Sequence, residues 1–315
     1  MGARSSRNTT QNNRSDGHLL EYFRNTFVRG GGAGGPVFSA TGGNQTPANG
    51  LAPGNGYKYH TFTSPGTFTV SSGGNAEVLI VGGGAGGGIL GGGGGAGGLV
   101  YAPSYPISAP FTITIGGGGN GSPSFGVGSG QGTPTTLIGS ETITALGGGR
   151  AADQGIGYPG GSGGGAAGPN PVGSGTQPTA NPGISGLLQY GNPGGTGSGS
   201  SPNDAAGGGG GAGGAGNGPS PRDGGIGRQY PQFTGPLIGV PSLAPLSGYF
   251  AGGGGGGDRP DTASNTTGGL GGGGNGGGSP TAGQTNSGGG GGGGRYPSPV
   301  GSNGGSGIVI IRYLV

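Results

Sequence analysis

Few residues in this chain could do chemistry. There is no Cys, so thiol catalysis, disulfides and thiolate metal sites are out. The two His, His18 and His60, are too few for a triad or a metal centre. The acids Glu77, Glu141, Asp153, Asp204, Asp223, Asp258 and Asp261 show no paired spacing, and the last four read as solvated or turn-forming. Val81 is followed by Gly82-Gly83-Gly84-Ala85-Gly86-Gly87, which fits G-x-G-x-x-G after a strand. A dinucleotide site also needs a helix next and an acid about 20 residues on. Here more glycine follows, and the next acid is Glu141. A phosphate loop needs a Lys, and the only one is Lys58. Met1-Gly2 with Ser6 is a weak myristoylation match, and Arg29-Gly30-Gly31 is a lone RGG. No catalytic residue, metal or cofactor is expected.

The elements that would position such residues are unusual. Of 315 residues, 100 are Gly and 26 are Pro, and only 7% are charged, against about 25% in ordinary domains. A conventional enzyme core of this length is excluded. Collagen is excluded too, because the glycines come in blocks rather than as Gly-X-Y. No segment is long and apolar enough to span a membrane. The start, MGARSSRNTTQ, lacks an apolar stretch, so no signal peptide is expected. The net charge of +3 lies in residues 1–29, where Arg4, Arg7, Arg14, Arg24 and Arg29 face Asp16 and Glu21. The rest is neutral, which argues against nucleic acid as a partner.

One helix is predicted near the start. Ser15 or Asp16 can cap it, Leu19, Leu20, Phe23 and Phe27 recur at helical spacing, and Gly30 stops it. Short strands follow. Segments 57–63 and 67–71 flank Ser64-Pro65-Gly66-Thr67, placed as for a type II turn. Segment 77–81 (EVLIV) is compact and β-branched, and 111–115 (FTITI) alternates. Segments 135–138 and 141–145 flank Gly139-Ser140 as a hairpin. The most apolar segment is 308–315, expected at the centre of the core against 77–81 or another strand of the first half. No strand or helix is predicted between 145 and 308.

The glycine runs at 82–88, 91–98, 116–119, 207–216, 252–257, 268–278 and 288–294 can be read two ways. One is flexible linker. The other is a bundle of three-residue-per-turn helices, whose sideways N–H and C=O groups pair between neighbours. The expected fold class is then mostly β and irregular: a small antiparallel β-core with an inserted bundle of polyglycine II helices and one N-terminal α-helix. Residues 1–35 form an arm and attachment helix, 36–56 a linker, and 57–315 a glycine-rich domain. Within it 57–146 and 307–315 make the β-scaffold and 147–306 the polyglycine insertion.

The segments LIVGGGAGGG (79–88), GGAGGLVY (94–101), FTITIGGGG (111–119) and GGSGIVIIRY (304–313) resemble the glycine-rich domain of bacteriophage virion proteins. Those include tail-fibre adhesins and structural proteins of marine phages. The resemblance implies a β-scaffold with a polyglycine-helix sandwich, on the exterior of a virion. It implies a tail-fibre or fibre-tip component in host attachment, or a capsid, neck or filament structural protein. The implied partners are other virion proteins, a host cell-surface receptor and further copies of the chain, a trimer among the options. The least glycine-rich inserts, 150–159, 187–193 and above all 228–250, are the recognition candidates. The last holds Arg228, Tyr230, Phe233, Tyr249 and Phe250, residue types that anchor interfaces; plugging the bundle ends is their other reading.

Leu19, Leu20, Phe23 and Phe27 have no sequence-local partner, and an isolated helix this short is marginal in water. Burying each would contribute about 1.5–3 kcal/mol. Replacing Phe23 and Phe27 by Asp is expected to leave the body folded but absent from the assembly it joins. Incorporation of the double variant into particles, scored by immunoblot, checks this.

Overall fold

The computed structural model describes residues 37–151, 153, 155–199, 205–257, 266–295 and 300–315. The predicted N-terminal helix, with Leu19, Leu20, Phe23 and Phe27, lies outside them, as do Asp204, Asp258 and Asp261. The described part is mostly β, all its strand pairs are antiparallel, and its only helices are short 3-10 turns.

Two five-stranded sheets form a sandwich. The first has the order β2 (Tyr57–Phe62), β12 (Ile308–Leu314), β4 (Gly74–Val81), β5 (Leu99–Ile107), β9 (Leu188–Tyr190). The second has the order β1 (Ser39–Thr41), β3 (Gly66–Ser72), β6 (Phe111–Thr114), β7 (Thr135–Ile138), β8 (Thr142–Ala145). Phe62, Val78, Ile80, Val309 and Ile311 of the first meet Phe68, Phe111, Ile113, Leu137 and Ile143 of the second. The alternation in FTIT follows: Phe111 and Ile113 point in and the two Thr point out. β12 is apolar on both faces because both are covered. Its other face, Ile308 and Ile310 with Leu79, Val81 and Leu99, packs under the segment 228–251. β10 (Arg228–Gln229) and β11 (Tyr249–Phe250) pair within that segment.

The central position of β12 is as expected, with Ile310 opposite Leu79 and Ile308 opposite Val81. Other expectations need correction. Gly66 lacks the positive φ of a type II turn and begins β3. The strands on either side belong to different sheets, so this link is a crossover. Residues 36–56 are not merely a linker: β1 pairs with β3, and Leu51 bridges to Tyr59. β5 was hidden by Pro103 and Pro106. The ladder tolerates Pro103 because it lies in a bulge opposite Glu77, between the pairs Val78–Ala102 and Ala76–Tyr105. Among the described residues between 145 and 308 lie β9, β10, β11 and three 3-10 turns.

The outer edge of β8 is closed by side-chain amides. Asn181 Oδ1 accepts from the Thr144 N–H at 2.7 Å, and Gln177 Oε1 from the Leu146 N–H at 2.6 Å. Both amide nitrogens donate back to the Thr144 carbonyl. Gln189 Oε1 on β9 accepts from both amides, which ties the two sheets together at this edge.

The glycine runs leave the sandwich directly: Gly82 follows β4 and Gly98 precedes β5. Every residue from Val81 to Val100 is buried. In 82–87 no N–H bonds within its own run; the bonds go outward with a period of three. Gly82 and Ala85 donate to the carbonyls of Gly98 and Gly95, Gly83 and Gly86 to Thr133 and Gly130, Gly84 and Gly87 to Gly305 and Ser302. Carbonyls follow the same rule. Gly84 and Gly87 accept from Gly119 and Ser122, Ala85 and Gly88 from Gly291 and Gly294, and Gly83 from Gly148. Three segments thus receive bonds from this run and three others give bonds to it. Run 91–98 repeats the pattern: Gly93 and Ala96 donate to Gly207 and Gly210, Gly94 and Gly97 to Gly291 and Gly288, Gly95 and Gly98 to Gly149 and Leu146. The array therefore draws runs from both the expected scaffold and the expected insertion, and the boundary at 147 does not divide them.

Glycine is obligatory where backbones touch. A Cβ at Gly83 would fall well inside 3.0 Å of the Gly117 carbonyl, whereas one at Gly117 would meet only Thr133 Oγ1 at 3.8 Å. Gly83→Ala is expected to destabilise the fold by about 3 kcal/mol or more. Gly117→Ala, on an exposed part of the same array, should be neutral or stabilising by up to about 1 kcal/mol. Denaturant midpoints of the two variants check the contrast.

Candidate recognition site

The predicted recognition residues divide by burial. Tyr230, Phe233 and Phe250 are 7%, 0% and 1% exposed and line the second core against the first sheet. They are occupied there and do not form a free surface. Tyr230 lies against Tyr101, ring centroids 4.5 Å apart. Tyr249 is half-buried and pairs with Gln229. The Arg228 guanidinium stacks 3.8 Å over the Tyr190 ring, with Nη2 donating to that hydroxyl at 3.2 Å. Of the second candidate insert, 187–193, residues 188–190 became β9.

A polar row beside this core holds the insert to the sheet. Arg312 Nη2 pairs with Glu77 Oε1 at 2.5 Å, and Nη1 donates to the Tyr59 hydroxyl at 3.2 Å. Tyr101 Oη donates to Glu77 Oε2 at 2.8 Å, and Gln232 reaches the same carboxylate. Burial, with Glu77 adjacent, pushes the Tyr101 hydroxyl well above its usual range. The row crosses β12, β4 and β5 and ends under the aromatic insert. Its groups are satisfied by one another, apart from Arg312 Nε, so it reads as structural.

The third insert, 150–159, opens a cleft of about 310 Å³ lined by Gly126, Gly128, Arg150, Asp153, Ile156 and Tyr158. It lies where run 82–88 turns back. Run 82–88 ends in Ile89 and Leu90, and Leu90 has φ +50° to make the turn back. Asp153 Oδ1 accepts from the Ile89 N–H at 3.1 Å, and Oδ2 lies 3.1 Å from the Ser122 hydroxyl, whose one proton also faces the Ser124 and Val127 carbonyls. Burial raises the Asp153 carboxyl above its usual value, against the lowering effect of these bonds and of Arg150. The Arg150 guanidinium lies flat on Tyr158, 3.7 Å from the ring centre. Among the described residues no hydrogen-bond acceptor faces it. Gly128 makes room for it, since a Cβ there would strike Nη1. Val127 and Ile156 are 49% and 48% exposed, and Phe125 is 44% exposed. The Phe125-Gly126-Val127-Gly128 loop was not expected. Its signal was the presence of two large apolar residues among glycines where no strand could use them.

The N–H groups of residues 82–88, where the sequence fits G-x-G-x-x-G, cannot cradle a phosphate, because they already donate to carbonyls. Among the described residues no three His, Asp or Glu side chains gather as a metal site, and no helix is long and apolar enough to cross a membrane.

An antiparallel sandwich continued into a hydrogen-bonded glycine array, with loops at the array's turns, defines a glycine-rich structural domain. The chain belongs to the family described as Glycine-rich domain, whose model matches residues 61–314. Comparison with curated proteins finds no match.

His60 is buried in the sandwich. Its Nδ1–H donates to the Gly42 carbonyl at 2.7 Å, and Nε2 accepts from the Tyr313 hydroxyl at 3.1 Å. Burial, assisted by Lys58, holds it below its ordinary value of 6.5 despite the Gly42 bond. The unfolded chain therefore takes up the proton first as pH falls. This contribution to stability is complete above about pH 6.5 and declines below it, toward the folded-state value. His60→Gln is expected to be less stable at pH 7.5 but to lose less between pH 7 and 5. Urea midpoints across that range check it.

Proposed function

We propose that the glycine runs are polyglycine II helices and that the protein is a non-enzymatic surface protein of a bacteriophage virion, acting in host attachment as a tail-fibre or fibre-tip component. The three-residue period supports the helix assignment, because three residues per turn send successive N–H groups in three directions. At ~3.1 Å per residue, run 82–88 would carry the Ile89-Leu90 turn about 22 Å beyond β4.

The observation that carries the functional reading is the gathering of loops at that remote end, around Asp153, Ser122 and Ile89. Loops held by a rigid, end-anchored array lose little conformational freedom on binding. A sandwich at one end and loops at the other suits a part that is fixed on one side and presented on the other. In this reading residues 1–29 dock on other virion proteins, the array points outward to a host cell-surface receptor, and the neutral body avoids nucleic acid. Assembly as a homo-oligomer, a trimer included, is compatible with it.

A second reading is a capsid, neck or filament structural protein with no receptor role. The burial of Tyr230, Phe233 and Phe250 favours it, since the richest aromatic insert is spent on the core.

Gold labelling of a tagged copy on particles, with adhesion of the purified protein to cells that adsorb the particle, separates the two. Label at fibre tips with saturable adhesion is expected. Label on capsid or neck without adhesion would select the second reading, and absence from particles would end both.

A further inference from the structure

We infer that the cleft at Arg150, Asp153 and Tyr158 binds a carboxylate-bearing sugar unit. Naming a cell-surface polysaccharide as its source rests on the attachment reading above.

The argument starts from Arg150. A guanidinium presents five N–H donors in a planar fork that matches a carboxylate bidentately. This one is fixed by stacking on Tyr158, with its fork meeting no acceptor among the described residues. Nη1 packs against Gly128, where a Cβ would displace it. The fork is thus held facing a cleft, and among the described residues it makes no hydrogen bond.

The second feature is the carboxylate of Asp153 in the same cleft. The Ile89 N–H fixes its orientation from behind. Each of its oxygens has a second lone pair, so it can still accept from a ligand hydroxyl. Its negative charge disfavours a multiply charged anion such as phosphate. A ligand that brings a single carboxylate for Arg150 and hydroxyl donors for Asp153 satisfies both, and a uronic acid has that pairing.

Size and rim agree. A space of about 310 Å³ is at the small end of ligand pockets and takes one ring rather than a chain. Ile156 lines it, and Val127 stands in the adjoining loop. They offer apolar surface to the C–H face of a sugar.

The test is calorimetric titration of the full-length protein with galacturonate, with galactose and inorganic phosphate as comparison ligands. Saturable binding of galacturonate is expected, with galactose and phosphate weaker by about tenfold or more. Arg150→Gln should weaken galacturonate binding about 10- to 100-fold, the loss of a charge-assisted pair. Gly128→Ala, whose methyl group displaces only the flexible end of Arg150, should weaken it as well with unchanged melting. No saturable galacturonate binding, equal binding of phosphate, or wild-type affinity in both variants overturns the inference. Cell adhesion is scored separately. Adhesion that survives both variants overturns the cleft's role and leaves attachment standing. Arg150-dependent galacturonate binding without adhesion keeps the site and removes the attachment reading.

Discussion

The structure depends on how closely glycine backbones can approach. In run 82–87 each N–H meets a carbonyl of another segment, and the Cα hydrogens lie where side chains would be. At Gly83, Gly84, Gly86, Gly87 and Gly97 an added Cβ would fall on a neighbouring carbonyl. Close approach does not by itself make the array stable. Ordering a residue costs about 1–2 kcal/mol, and more for glycine, while an internal hydrogen bond returns about 0.5–1.5 kcal/mol net. A free bundle would melt. The balance changes when the ends are fixed, and here they are: β4 runs into Gly82, Gly98 into β5, and Gly307 into β12. The array is also cooperative. Removing one run would strand buried N–H and C=O groups on all its neighbours, each costing about 1–3 kcal/mol.

The scarce apolar residues are concentrated to supply that anchorage. The first sheet is covered on both faces, by the second sheet and by the 228–251 segment, so its central strands bury side chains in both directions. Tyr230, Phe233 and Phe250 belong to this economy, as does the Arg312–Glu77 row that holds the insert down. The polar amides of Gln177 and Asn181 complete an edge that would otherwise leave backbone groups of β8 unpaired. The cleft at Arg150 and Tyr158 lies where run 82–88 turns, away from this apolar packing. The division of labour between a packed end and an open end follows from where the apolar residues are placed.

Much of this was legible, and the rest was hidden for physical reasons. β12 could be read as a core strand, with 77–81 among its possible partners, because so apolar a segment in so polar a chain must be mostly buried. The 135–145 hairpin could be read from its turn, although the observed strands are separated by three residues, Gly139, Ser140 and Glu141. β5 was hidden because Pro103 and Pro106 look like strand breakers until a bulge and an unpaired edge accommodate them. The aromatic insert was assigned toward a receptor because Tyr, Phe and Arg fit a core and an interface equally well. Composition says that they are buried, not against what. The cleft was half legible: 150–159 was among the candidates, but Gly128 and the Phe125 loop become partners of Arg150 only through the folding of the array.

The register of the array was not legible, for a deeper reason. A helix or strand declares its period through alternating side chains, and a glycine run has none to alternate. The three-residue period appears only in the bonding: Gly84 to Gly305 and Gly87 to Ser302, Gly83 to Thr133 and Gly86 to Gly130. Register must therefore be set from outside the runs, by the strands that begin and end them and by the residues at their turns. Leu90 in its left-handed conformation and the Asp153 carboxylate on the Ile89 N–H fix one end, while Val81 and Leu99 fix the other. Run length then becomes the quantity the sequence specifies. One residue added between fixed ends would shift every later N–H by one place in the three-residue bonding period, toward the wrong neighbour. Three added residues would restore the period. Glycine content permits this architecture; the spacing between anchors determines it.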